Sequence, residues 1–126
     1  MTISADRMLE RARSTITRVP PAGLAKFLEQ GGLVVDIRPE AQRRSEGEFP
    51  GALVIERNVL EWRFDPSGEN CLPEARDVSR PVLLLCSEGY ASSLAAASLV
   101  ELGYESAADL EGGYKAWASQ RDGLKA

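Results

Sequence analysis

The chain has 126 residues, of which 44% are hydrophobic and 27% charged, and this composition fits one soluble domain that needs no disulfide or metal support. Its formal net charge of -4 argues against a nucleic-acid partner held by a basic face. The absence of histidine excludes Cys-His and Ser-His-Asp catalysis and removes the commonest zinc ligand.

The sequence carries no targeting or membrane signal. Residues 1–21 lack an apolar stretch of signal-peptide length, and no segment approaches the apolar run that spans a bilayer. We therefore expect a cytoplasmic protein with no membrane partner, in which the two cysteines, Cys71 and Cys86, are free thiols. No Cys-x-x-Cys pair is present, so thioredoxin-type chemistry is not expected.

The predicted elements alternate between helices and strands. In chain order they are a helix at 4–13 capped by Ser4, a strand at 15–19, a helix at 21–30, strands at 33–37, 52–55 and 82–85, a helix at 92–102, a strand at 106–110 and a helix at 114–120. The central strands are short, continuous apolar runs, which is typical of strands buried on both faces. The alternation predicts an α/β fold with a parallel sheet between helices, and in such sheets sites form beyond the carboxyl ends of the strands.

Cys86 stands at such a position, directly after the strand at 82–85. The loop that follows consists of Ser87, Glu88, Gly89, Tyr90 and Ala91. Backbone N–H groups of a tight loop and the start of the next helix both favour a thiolate, which is the reactive form of cysteine. Gly89 gives the loop conformational freedom, and Ser92 or Ser93 is expected to cap the helix. Position alone leaves a second interpretation open, in which Cys86 is a small buried hydrophobe.

Five short motifs occur in a fixed order along the chain. They are Asp36-Ile37-Arg38, Glu48-Phe49-Pro50-Gly51-Ala52, Cys86-Ser87-Glu88-Gly89, Leu102-Gly103-Tyr104, and Leu110-Glu111-Gly112-Gly113-Tyr114 followed by Trp117. Together they resemble the rhodanese-like family of single-domain sulfurtransferases. The resemblance implies one domain over residues 1–126, with a helical extension at 1–14 and a core at 15–120. It also implies a three-layer α/β/α architecture around a five-stranded parallel sheet.

The same resemblance implies sulfur transfer through Cys86. In the family, a donor such as thiosulfate or a persulfide loads sulfane sulfur onto this cysteine as a persulfide. A thiol acceptor, either a small molecule or a protein, then removes it. The backbone amides of residues 87–92 match the cradle that holds the sulfur, so the loop from Ser87 to Ser92 is the expected substrate-binding loop. No metal or organic cofactor is implied.

The loop departs from the family pattern in its charge. Ala91 stands where many members have an arginine, and Ser87 and Glu88 stand where basic residues help to bind thiosulfate. Ser92 occupies the position at which related cysteine phosphatases need an arginine, so phosphate-ester hydrolysis is not expected. These departures keep a second hypothesis open, namely a non-catalytic rhodanese-like binding or regulatory module.

Positive charge for an anionic donor would have to come from outside the loop. Arg57 and Arg63, which follow the strand at 52–55, are candidates for the pocket rim. Asp36 and Arg38 are also candidates for the rim, although a structural ion pair is the favoured interpretation of these two residues. Cys71 lies in a turn-rich stretch and is expected to be incidental rather than a resolving thiol.

Overall fold

A five-stranded parallel sheet forms the centre of the protein. The computed structural model describes residues 2–125, so residues 1 and 126 of the predicted domain lie outside the described residues. The strands are β1 (Thr17–Val19), β2 (Leu33–Asp36), β3 (Leu53–Val54), β4 (Val82–Leu85) and β5 (Ala107–Leu110). Their order across the sheet is β1-β5-β4-β2-β3, with every neighbouring pair parallel. β4 therefore lies at the centre of the sheet, between β5 and β2.

Within residues 2–125, six α-helices accompany the sheet. They are α1 (Ala5–Arg13), α2 (Leu24–Glu29), α3 (Glu40–Glu46), α4 (Leu60–Phe64), α5 (Ala91–Glu101) and α6 (Gly113–Lys125). The sequence patterns did not predict α3 and α4. The described part of α3 buries none of its residues, and α4 is five residues long, so neither shows an apolar period. Among the described residues, no helix has the length and apolar character required to cross a membrane.

The boundaries of the first elements follow from local hydrogen bonds. Ser4 caps α1 as predicted, because its hydroxyl accepts the Arg7 backbone N–H at 3.1 Å. The strand predicted at 15–19 begins only at Thr17. Both the N–H and the hydroxyl of Thr15 donate to the Ala12 carbonyl, which keeps that residue in the turn that ends α1.

Two apolar clusters, one on each face of the sheet, produce the three layers. Side chains of β4 alternate between them, as expected for a strand. Val82 and Leu84 join the cluster that packs under α4 and α5, and Leu83 and Leu85 join the one under α2 and α6. Cys86 continues the alternation and lies on the α5 face. The predicted three-layer α/β/α architecture is confirmed.

Candidate active site

Cys86 lies in the connection between β4 and α5, at the carboxyl edge of the sheet. Only 7% of the surface of Cys86 is exposed to solvent. The Gly89 backbone nitrogen lies 3.2 Å from Sγ and the Ser92 backbone nitrogen lies 3.4 Å away, and both donate to the sulfur. N–H dipoles directed at one atom stabilise negative charge on it. The loop therefore surrounds the sulfur with donors rather than with aliphatic neighbours alone.

The shape of this loop depends on glycine at two places. Gly89 has a φ of +87°, and a Cβ there would lie 2.9 Å from the Gly112 nitrogen. Gly113 has a φ of +70°, and a Cβ there would lie 2.6 Å from the Glu88 nitrogen. The first residues of α6 then donate back to the loop, from the Tyr114 nitrogen to the Cys86 carbonyl at 2.8 Å. The loop is thus held in close backbone contact with the start of α6.

A fully buried ion pair supports the loop from the β2 side. Arg38 Nη2 lies 2.7 Å from Asp36 Oδ2, and both side chains are closed to solvent. Burial alone would lower the pKa of Arg38, but hydrogen bonds and charge interactions with Asp36 and Glu46 outweigh burial and raise it. Glu46 also accepts the Ser87 hydroxyl at 2.5 Å. Asp36 and Arg38 thus form a buried ion pair, and through Glu46 this pair reaches the loop.

A second buried network lies on the β5 side of Cys86. Asp109, closed to solvent, accepts the hydroxyls of Ser92 at 2.8 Å and of Ser93 at 2.7 Å. Arg18 Nε donates to the same carboxylate at 3.0 Å. The sequence predicts that one of the two serines caps α5, and that prediction is wrong. The N-cap position belongs to Tyr90 and has no side-chain cap, and both serines lie inside the helix, which begins at Ala91.

Ser92 joins this network to the sulfur. Its oxygen lies 3.2 Å from Cys86 Sγ, and its single proton is directed to Asp109. A carboxylate can only accept, so the Ser92 oxygen is left to accept the Cys86 thiol proton. In the resting protein the sulfur therefore contacts two amide donors and one hydroxyl acceptor.

Two arginines of the N-terminal segment also reach the loop, and the sequence patterns missed them. Arg13 Nη2 donates to the Gly89 carbonyl at 2.8 Å, and Arg18 Nη2 donates to the same oxygen at 3.0 Å. Arg13 lies at the end of α1 and Arg18 in β1, far from Cys86 in the sequence. Nothing local in the sequence marks either residue, because what brings them to the loop is the pairing of β1 with β5.

A cavity of about 490 Å³ opens onto the sulfur. It is lined by Ile37, Arg38, Pro39, Glu40, Gln42, Glu56, Arg57, Asn58, Cys86 and Ala91. Arg57 thus stands at the cavity, as the sequence suggested, but it is paired with Glu61 at 2.9 Å. Burial would raise the pKa of Glu61, but the hydrogen bonds from Arg57, the Glu61 backbone and Ser98, together with the charge of Arg57, outweigh burial and lower it.

Arg63 does not line this cavity, which corrects the prediction that it belongs to the rim. It lies on a separate surface hollow with Val54 and Val59, and its Nη1 donates to the Asn70 carbonyl. Arg63 lies in the last turn of α4, six residues beyond Arg57, and the two side chains line different cavities.

The remaining loop side chains face outward. The Glu88 side chain is 62% exposed and lies 3.9 Å from Lys115 Nζ, so its charge is largely solvated. Tyr90 is 60% exposed, with the Arg13 guanidinium 5.6 Å from its ring centre. Ala91 adds only a methyl group to the cavity wall. The described loop residues thus place no cation beside the sulfur.

Cys71 provides an internal comparison for Cys86. It is 6% exposed, so the two thiols are buried to the same degree. Its one hydrogen-bond partner among the described residues is the Leu72 carbonyl at 3.6 Å, which is an acceptor. Burial is therefore shared by both cysteines, and the amide donors distinguish Cys86.

The fold and the cysteine loop match a known family. Residues 20–120 match the family model described as the rhodanese-like domain. The chain belongs to the rhodanese-like family. Thiosulfate sulfurtransferase GlpE of Pseudomonas fluorescens is 31% identical to it over 105 residues, which cover 82% of this chain and 86% of that relative. The predicted family is confirmed.

Two solved structures resemble this chain, and one of them covers nearly its whole length. A Rhodopseudomonas palustris protein of unknown function, given as a possible tyrosine phosphatase, superposes with a TM-score of 0.87 at 27% identity and covers 96% of this chain and 93% of its own. A rhodanese homolog from Thermus thermophilus shares 35% identity at a TM-score of 0.59, covering 79% of this chain and 99% of its own.

Proposed function

We propose that this rhodanese-like protein is a sulfurtransferase that carries sulfane sulfur as a persulfide on Cys86. The observation that supports this most directly is the pair of backbone N–H donors, from Gly89 and Ser92, at 3.2 and 3.4 Å from Sγ. Amide donors of this kind stabilise a sulfur anion directly. The thiolate therefore does not depend on a histidine base, which this chain lacks. The thiosulfate sulfurtransferase named above supports the same reaction class.

The proposed reaction has two displacement steps. Cys86 releases its proton to solvent and attacks the outer sulfur of thiosulfate. A bond forms between the two sulfur atoms, the sulfur–sulfur bond of thiosulfate breaks, and sulfite leaves with the electron pair. A thiolate acceptor then attacks the outer sulfur of the Cys86 persulfide, the persulfide bond breaks, and the Cys86 thiolate is regenerated. A low-molecular-weight persulfide can replace thiosulfate as donor, with a thiolate as the leaving group.

The cavity beside Cys86 is suited to a small reactant. Its walls include the apolar residues Ile37 and Ala91, and its charged members include Glu56, Arg57 and the buried Arg38. Arg57 and Arg38 are both engaged by carboxylates, so neither is a free cation for a dianion. A persulfide, which carries less charge than thiosulfate, is therefore expected to load Cys86 at the lower concentration of the two.

The test is the intact mass of the protein after incubation with thiosulfate, mercaptopyruvate or a low-molecular-weight persulfide. The wild type is expected to gain one sulfur atom, and Cys86→Ser to gain none. Cys71→Ser is the matched control, because Cys71 is equally buried but lacks amide donors, and this variant should load like the wild type.

Two results would contradict the proposal. A wild type that gains no sulfur from any donor would leave the alternative of a non-catalytic binding or regulatory module. Hydrolysis of p-nitrophenyl phosphate that is lost in Cys86→Ser would instead indicate the activity suggested for the Rhodopseudomonas palustris neighbour. The described loop lacks the arginine that phosphate-ester chemistry uses to grip an oxyanion, so we expect no such hydrolysis.

A further inference from the structure

Two guanidinium groups converge on one backbone oxygen of the cysteine loop. The Gly89 carbonyl accepts Arg13 Nη2 at 2.8 Å and Arg18 Nη2 at 3.0 Å. Both arginines precede residue 20, where the match to the rhodanese-like family begins. They lie behind the loop and do not line the cavity that opens onto Cys86. The N-terminal segment thus contacts the proposed site without contributing to its mouth.

Each arginine is fixed by a second contact. Arg13 Nε donates to the Ser93 hydroxyl oxygen at 3.0 Å, and Arg18 Nε donates to Asp109 at 3.0 Å. A planar guanidinium that donates two hydrogen bonds has a fixed orientation, whereas a lysine ammonium group does not. Ser93 and Asp109 are closed to solvent, so the anchors themselves are rigid. This geometry fixes the position of the Gly89 oxygen relative to the core.

Gly89 is also one of the two residues whose amide contacts the sulfur. Its N–H donates to Cys86 Sγ at 3.2 Å, while its carbonyl accepts the two arginines. Only the φ and ψ torsions of Gly89 separate these two groups, and glycine leaves both torsions freer than any other residue does. Holding the carbonyl in place therefore restricts the direction of the Gly89 N–H toward the sulfur.

We propose that Arg13 and Arg18 are positioning residues of the cysteine loop, which hold Gly89 by its carbonyl so that the Gly89 N–H stays directed at Cys86 Sγ. They supply from behind the loop the positive charge that Ala91 does not supply within it. The expected effect of the arginines on persulfide turnover rests on the proposed function. The effect on the Cys86 thiolate does not, because it can be measured without a sulfur donor.

The first test is the rate of alkylation of Cys86 by iodoacetamide at neutral pH. Arg13→Gln is expected to slow it by about three- to tenfold, the factor that corresponds to the loss of one ordinary hydrogen bond's net free energy. Arg11→Gln is the matched control, since Arg11 lies on the same helix, is exposed, and makes no contact with the loop among the described residues. It should react like the wild type.

A conservative variant separates positioning from folding. Arg13→Lys keeps a cation near the Gly89 carbonyl but cannot bond Ser93 and Gly89 together, so it should recover part of the lost rate. The melting temperatures of the Arg13 variants should lie close to that of Arg11→Gln, because Arg13 is partly exposed at the end of α1. Equal alkylation rates for Arg13→Gln, Arg13→Lys and Arg11→Gln would overturn the proposal for Arg13.

The second test uses Arg18→Gln and the persulfide itself. Arg18→Gln should also slow alkylation, and if this variant does not fold, the Arg13 series decides alone. In donor assays, Arg13→Gln should lower kcat with little change in KM, because Arg13 lies outside the cavity. A raised KM with unchanged kcat would overturn the positioning role. A wild type that accepts no sulfur would refute the proposed function, and the alkylation rates would still judge the arginines.

Discussion

Two carboxylate–guanidinium pairs flank the central strand that leads to Cys86. Asp36 and Arg38 form the pair on the β2 side, and Asp109 and Arg18 form the pair on the β5 side. In the sheet register, Asp36 pairs with Leu85 of β4 and Asp109 pairs with Leu84 of β4. The two carboxylates therefore lie at adjacent positions along the central strand. The two pairs use the same chemistry at the same edge of the sheet.

They differ in how they are built and in what they touch. Asp36 and Arg38 are two residues apart and sealed from solvent, and they reach the loop at Ser87 through Glu46. Arg18 and Asp109 are 91 residues apart, and the arginine side chain keeps 22% of its surface exposed. In this second pair, Arg18 donates to the Gly89 carbonyl, and Asp109 accepts the hydroxyl of Ser92, whose oxygen contacts the sulfur. The first pair therefore supports the scaffold, and the second shapes the surroundings of the sulfur.

The largest expected effect is the loss of stability in Arg38→Ala. Removing the guanidinium leaves the Asp36 carboxylate buried without its partner, which should cost about 3–5 kcal/mol of unfolding free energy. Urea unfolding followed by tryptophan fluorescence measures it. Arg44→Ala is the control, because Arg44 makes an exposed pair with Glu40 and should change stability by less than about 1 kcal/mol. Equal losses in the two variants would remove the contrast between scaffold and surface pairs.

A smaller loss is expected from Gly89→Ala, on the side of the second pair. The new Cβ would lie 2.9 Å from the Gly112 nitrogen and 3.2 Å from Arg18 Nη2, in a left-handed backbone conformation. Strain and overpacking together should cost about 2–4 kcal/mol.

Gly51→Ala provides the control for the strain alone. Gly51 has a φ of +81° but no atom within 4 Å of a Cβ, so its substitution should cost about 1–2 kcal/mol. Urea unfolding measures the free energy of unfolding of both variants. The difference between their losses is the contribution of the contact with Gly112 and Arg18. If Gly89→Ala is no less stable than Gly51→Ala, the close contact behind the loop is not significant.

The smallest effect is expected from Ser92→Ala, and it concerns reactivity rather than stability. The Ser92 oxygen accepts the thiol proton in the resting protein, so removing it should destabilise the thiol relative to the thiolate. The alkylation rate of Cys86 at neutral pH should rise about threefold, as for the loss of one weak hydrogen bond. Ser93→Ala also loses a bond to Asp109 but not to sulfur, and because it also removes the anchor of Arg13 Nε, its alkylation rate should fall slightly rather than rise. A slower reaction of Ser92→Ala would show that the hydroxyl turns to donate to the sulfur anion.

Local patterns succeeded where an interaction lies within a few residues. Asp36 and Arg38 could be predicted as an ion pair because the chain itself places them side by side at the end of a strand. The cysteine loop was predictable because an apolar strand, a glycine and a small-residue helix follow one another directly. The capping prediction for Ser92 or Ser93 failed because α5 begins at Ala91, which places both serines inside the helix, where their hydroxyls donate to a buried carboxylate of β5 that is distant in sequence.

The amino-acid sequence by itself determined the α/β fold, the family and the place of Cys86, because strand periodicity, glycine positions and short motifs are all properties of neighbouring residues. The tertiary structure alone decided which arginines reach the loop. Arg57 and Arg63 were candidates for the pocket rim by sequence, and of these two Arg57 lines the cavity, whereas Arg13 and Arg18 contact the loop itself. The physical reason is that the pairing of β1 with β5 carries the N-terminal segment beneath the loop, and strand order is set by packing across the whole sheet.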